Sequence, residues 1–204
     1  MENLAIFGGI MIMIWGLLML LVIGISVTFY VFRSLGMYHI AKRRGIHNPW
    51  LAWLPVGQSW ILGSVSDHYQ YIARGKTRNY RKVLMWLEVG LYVISLVMSI
   101  ISVVTSMGAV VGAAMEMEEL AILGSMGLAG FSIIMSLVVV AASVTYSVFA
   151  YICYYDVFRS CKPENATLFL ILSIFVSAAM PFLIFACRKS DEGMPPKIRN
   201  TVNS

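Results

Sequence analysis

Four long apolar runs alternate with shorter polar segments along this chain, over residues 4–32, 83–106, 126–155 and 166–187. The first holds 29 consecutive residues without a charge. About 20 predominantly apolar residues in a helix cross a bilayer core, so each run qualifies as a spanning helix. The first and third exceed that length, and the surplus is taken up by tilt or by projection into water. The pattern predicts an all-α integral membrane protein: a four-helix transmembrane bundle in one membrane domain over 1–190, followed by a flexible polar tail over 191–204. No internal repeat is present, which leaves an inverted-repeat transporter without support. Pro181 divides the fourth run. Full crossing is the reading adopted for 166–187; a re-entrant hairpin, which would return the tail to its starting side, is the alternative.

The polar segment after the first run has its own pattern. Over 35–45, at 100° per residue, His39, Lys42 and Arg43 share one face while Met37, Tyr38, Ile40 and Ala41 share the other. That arrangement predicts a helix lying in the membrane interface. Gly45 ends it and Asn48-Pro49 imposes a turn. Residues 50–63 are apolar but short, broken by Pro55 and interrupted by Gln58 and Ser59. A stretch of that length enters the interface without crossing, so a short re-entrant, Trp-rich element is expected here. Trp50, Trp53 and Trp60 fall on one helical stripe, and Trp prefers the headgroup level. Asp67, His68, Tyr69 and Tyr71, running into the basic residues near Arg78, read as a solvated loop.

The stretch 38–63 (YHIAKRRGIHNPWLAWLPVGQSWILG) resembles an element of small multi-pass bacterial membrane proteins, in which an uncharged first helix leads to a basic turn and then a Trp- and Pro-rich hairpin. The resemblance implies an architecture and a bacterial source. That group is largely uncharacterised, and no functional residue carries over from it.

Charge sets the orientation. Only 12% of residues are charged and 59% are apolar, against about 25% charged in soluble domains. Nine of the fifteen Lys and Arg residues lie in 33–82 beside a single acid, Asp67, while 105–125 carries three acids and no base. With the N-terminus outside, the four-span topology places eleven basic residues in the cytoplasm and four, all after the fourth run, outside. The positive-inside rule selects this arrangement over its reverse. A bacterial plasma membrane is then the expected location. The basic loop suits anionic lipid headgroups, at about 1 kcal/mol per Lys or Arg near the surface. No nucleic-acid-binding module accompanies the charge. Cys153, Cys161 and Cys187 are odd in number and form no CxxC, which excludes a disulfide framework and argues against structural zinc. The start, Met1-Glu2-Asn3, lacks the basic opening of a secretory signal.

Candidate chemistry is sparse. Glu88, Tyr92, Ser95, Ser99, Ser102 and Ser106 form one helical face, and Ser132, Ser136, Ser143 and Ser147 form a shorter counterpart. Small polar residues let membrane helices approach and hydrogen-bond, so a packing seam is expected, with a polar path through the bundle as the alternative. Glu88 is the one ionisable residue well inside a run; such groups are costly and usually paired. A structural ion pair is expected there, and an ion-coupling carboxylate is the alternative. His39, His47, Asp67 and His68 match no zinc signature, and Gly75-Lys76-Thr77 lacks the earlier glycine of a P-loop. Asn165-Ala166-Thr167 fits a glycosylation sequon, idle in a cytoplasmic position. Asp156 and Arg159 suit a local ion pair. No metal and no cofactor is expected. The reading is a non-catalytic scaffold or accessory subunit, with partners among anionic lipids, a membrane protein or a second copy of itself. Its contact residues are His39, Lys42, Arg43, Arg44, Trp50, Trp53 and Trp60. A small transporter or channel using the Glu88 stripe stands second, and an interfacial lipid-processing enzyme using His39, Asp67 or His68 third.

Overall fold

A computed structural model describes residues 2–114 and 118–195. Six α-helices account for most of them: α1 (Glu2–Arg43), α2 (Pro55–Arg74), α3 (Tyr80–Ala114), α4 (Glu118–Cys161), α5 (Ala166–Phe175) and α6 (Met180–Ala186). No strand occurs among the described residues. Three helices are long and apolar enough to cross a membrane, over Gly9–Arg43, Tyr80–Gly108 and Gly130–Cys161. The first of these, at 35 residues, extends about 52 Å at about 1.5 Å per residue, well beyond a hydrocarbon core of about 30 Å. Its apolar part is exposed all round, from Ile10 to Val27. In water such a surface would not persist; in lipid it is the ordinary surface of a spanning helix. The chain is an all-α membrane protein.

The fourth run, 166–187, is not one helix. α5 is ten residues long, too short to span. The backbone leaves helical geometry at Val176 (φ −123°, ψ 82°), makes a 3-10 turn over Ser177–Ala179, and resumes as α6 with Pro181 in its first turn. Proline has no N–H to give and its ring clashes with the preceding turn, so a helix through 181 breaks just ahead of it.

Three further expectations are revised. The interfacial segment 35–45 is not separate: α1 runs unbroken to Arg43, because nothing between Phe32 and Gly45 interrupts a helix. Gly45, at φ +64°, ends it as expected, with Ile46 N–H bonded to the Ala41 carbonyl and Gly45 N–H to that of Lys42, the pattern of a Schellman cap. The Trp-rich element does not form one helical stripe. Trp50 and Trp53 sit on a 3-10 turn over Pro49–Trp53, Leu54 is extended, and Trp60 belongs to α2. Residues 67–74, expected as part of a solvated loop, continue α2. Pro55 starts the helix, and Ile61, Leu62, Val65 and Tyr69 keep a buried face at helical spacing.

The chain packs as two compact units. In Met1–Leu54 with Tyr155–Ser204, α6 lies along the C-terminal part of α1. The buried residues there include Met37, Ile40, Ala41, Val157, Phe158 and Ile184. In Pro55–Tyr154, α2 and α3 form a helical hairpin joined through Gly75, at φ +63°. Within 191–204, expected as a flexible tail, Asp191 is ion-paired and Met194 is buried; 196–204 lie outside the described residues.

Candidate functional site

The strongest polar constellation in the first unit gathers where α1 ends. Arg44 follows the last residue of α1 and its side chain is almost fully buried. Its Nη2 donates to Asp191 Oδ1 at 2.9 Å and to Ser160 Oγ at 2.8 Å, and lies 3.7 Å from Cys161 Sγ. Arg43 reaches the same carboxylate through Nε at 2.5 Å. Its two terminal nitrogens donate to the carbonyls of Arg188 and Ser190, at 2.7 and 2.8 Å. One carboxylate therefore serves two guanidinium groups, and the end of α1 is clasped to the segment after α6. The physical logic is that of a buried charge: burial is tolerated only where pairing and hydrogen bonds replace water. Cys161 and Cys187 are buried beside this clasp and, with Cys153, are free thiols.

This placement sorts the residues expected to meet lipid or a partner. Arg44 is buried and Arg43 half-buried, both engaged by Asp191. Lys42 and His39 are exposed; Lys42 lies 5.9 Å from the Tyr38 ring centre, and His39 Nδ1 donates to the Leu35 carbonyl at 2.8 Å. Trp50 and Trp53 are exposed at 56% and 41%. The Trp53 carbonyl accepts a hydrogen bond from Tyr30, which ties the 3-10 turn to α1. Trp60, in the other unit, is half-buried under Arg81, whose guanidinium carbon stands 5.3 Å from the ring. Exposed rings and a free ammonium at the end of an apolar helix are the ingredients of a headgroup contact.

In the second unit Asp67 has a structural role that the sequence did not disclose. Its two carboxylate oxygens accept from the backbone N–H groups of Tyr80 and Arg81, at 3.1 and 3.2 Å. These are orphan donors at the start of α3, so Asp67 caps that helix from a neighbouring one. Burial pushes its carboxyl above the ordinary value of 3.8, and the two N–H bonds pull the other way. Nearby, Ser59 and Tyr146 share a hydrogen bond of 2.7 Å. The fragment Gly75-Lys76-Thr77 lies in the exposed link between α2 and α3.

The polar stripe of α3 is exposed at Tyr92, Ser95, Ser99, Ser102 and Ser106, with Glu88 half-buried at its head. Ser106 donates to the Val103 carbonyl, Ser136 to that of Ile133, Ser143 to that of Val140 and Ser147 to that of Ser143. Each bond stays within its own helix and satisfies a hydroxyl that faces outward. No group of three or more His, Cys, Asp or Glu side chains able to hold a metal occurs among the described residues. No family model, curated protein or solved structure matches this chain.

Proposed function

We propose that this chain is a non-catalytic scaffold or accessory subunit of a bacterial plasma membrane, N-terminus outside, whose basic, Trp-bearing end meets anionic lipid headgroups. One observation carries the reading. At the end of α1, Trp50 and Trp53 are exposed alongside exposed Lys42, while Arg43 and Arg44 are held by Asp191. The resemblance of 38–63 to a recurrent element of small bacterial membrane proteins agrees with it.

The arrangement divides the basic residues by task. Arg43 and Arg44 hold the fold together, and Lys42 is left for the leaflet. Amphipathic rings at this level anchor depth, and the ammonium supplies attraction of about 1 kcal/mol near an anionic surface. The test is thermal unfolding of purified protein in mixed micelles with and without phosphatidylglycerol. Wild type should gain melting temperature on addition of the anionic lipid, by linkage to binding. The combined Lys42→Ala, Trp50→Ala, Trp53→Ala protein should lose most of that gain. An equal gain in both proteins, or none in wild type, would end the headgroup reading and turn attention to a protein partner.

A further inference from the structure

The segment 162–189 leaves and returns at one place. Glu192 N–H bonds to the Cys161 carbonyl and Gly193 N–H to that of Ser160, both at 3.1 Å. Ser190 Oγ donates to the Cys161 carbonyl at 2.8 Å. A Cβ on Gly193 would overlap the Arg159 carbonyl oxygen, so this approach is backbone on backbone. Arg44, bonded to both Ser160 and Asp191, crosses the same point. A segment whose two ends are hydrogen-bonded to each other cannot have its ends on opposite faces of a bilayer of about 30 Å.

Between those ends lies the apolar run 166–187, without a single charge. Its position is set by α6, which runs parallel to α1. Phe182 packs on Phe29 and Phe32, at 5.6 and 5.2 Å between ring centres. Phe185 packs on Phe32 at 5.1 Å, and Arg43 bonds to the Arg188 carbonyl. Moving back from Arg188 to Phe182 thus means moving along α1 from its charged end into its uncharged run. The turn at Ser177–Ala179 lies further still, about 5–8 Å beyond the level of Phe182 at about 1.5 Å per residue. That level has its own marker. Tyr30 bonds to the Trp53 carbonyl, and both aromatic types favour the membrane–water boundary. An apolar element set about 5–10 Å into the headgroup and acyl boundary has the depth of interfacial insertion.

The exposure of the hairpin matches. Phe175, at the end of α5, is 83% exposed, and Leu168, Ile171, Ile174, Val176 and Phe182 are exposed with it. Lys162 and Glu164 precede the hairpin and Arg188 and Lys189 follow it, so charge brackets an uncharged wedge on both sides.

We infer that 166–187 is a re-entrant hairpin inserted into one leaflet beside α1, with acyl chains as the occupant of its exposed apex. The exit of the hairpin then lies on the face that holds the end of α1. The inference stands on the geometry of this unit and holds whichever partner the basic end meets. It also eases the conflict in the charge count: with the exit of the hairpin on the side of the first loop, Arg188 and Lys189 join the basic residues of that face, as the positive-inside rule asks.

The experiment uses the full chain with its three native cysteines, which are buried and whose wild-type labelling sets the background. Glu164→Cys and Lys189→Cys, both at exposed positions, are treated with an impermeant maleimide on intact cells and on inverted vesicles. Both should label in the same preparation and lose labelling together in the other. Labelling from opposite faces would overturn the inference. A nitroxide placed at Phe175→Cys in lipid vesicles then reads the occupant, with Ile174→Cys as the second site should the first variant fold poorly. Collision with oxygen but not with a water-soluble nickel complex identifies acyl chains. Access to nickel would put the apex in water, and protection from both would put it against protein; either result overturns the wedge.

Discussion

At the scale of the residue, Asp67 illustrates how a charge read as loop decoration becomes part of the frame. Its carboxylate accepts from two N–H groups at the start of α3. Asp67→Ala should cost about 1 kcal/mol, the usual loss for a helix cap, and Asp67→Asn far less, since Asn caps about as well. The pH dependence follows from the same site. Burial raises the folded carboxyl above 3.8 more than the N–H bonds lower it, so the folded chain holds this proton to higher pH than the unfolded chain does. Stability contributed by Asp67 should therefore fall as pH rises from 3.8 toward the folded value. Melting curves across that window should show the slope in wild type and its loss in Asp67→Asn. An identical slope in both proteins would show that another group titrates.

At the scale of the element, the α2–α3 hairpin depends on Gly63. A Cβ there would coincide with the backbone of Arg81, with Cα and N among its nearest atoms, and backbone cannot swing aside as a flexible side chain can. Gly63→Ala should cost about 1–3 kcal/mol, the range for overpacking a close contact. Gly90→Ala is the control. It lies on α3 with nothing within 4 Å of the added methyl, and should gain about 0.5–1 kcal/mol from helix propensity alone. Denaturation midpoints of the two variants should move in opposite directions, and a shared direction would mean that α2 and α3 do not pack at this point. Helix breaks also belong to this scale. Pro181 announced a division in 166–187, but not that the two pieces would fold back; that took Phe182 and Phe185 settling on Phe29 and Phe32.

At the scale of the whole molecule, charge asymmetry predicts orientation. Nine basic residues follow the first apolar run, and the positive-inside rule keeps such a loop in the cytoplasm. An impermeant thiol reagent applied to intact cells should label Asn3→Cys and spare Thr77→Cys, with the pattern exchanged in inverted vesicles. Labelling of Thr77→Cys on intact cells would reverse the orientation and with it the leaflet that the basic end meets.

What the sequence determined alone is what depends on composition and local period. Long uncharged runs specify membrane helices, because buried backbone in lipid must bond within its own segment. Gly45 and Asn48-Pro49 specify where α1 stops, because φ and the missing N–H are properties of those residues. Only tertiary structure decided the rest. The last part of α2, from Asp67 on, reads as loop until Tyr69, which continues the buried face of Ile61, Leu62 and Val65, has a partner to be buried against. Asp67 reads as solvated until the start of α3, thirteen residues on, is brought to it. Arg44 reads as one more basic residue for the lipid until Asp191, 147 positions away, turns it inward. Nothing local distinguishes a charge that will face a headgroup from one that will be buried against a carboxylate, since the distinction lies wholly in what the chain brings back to it.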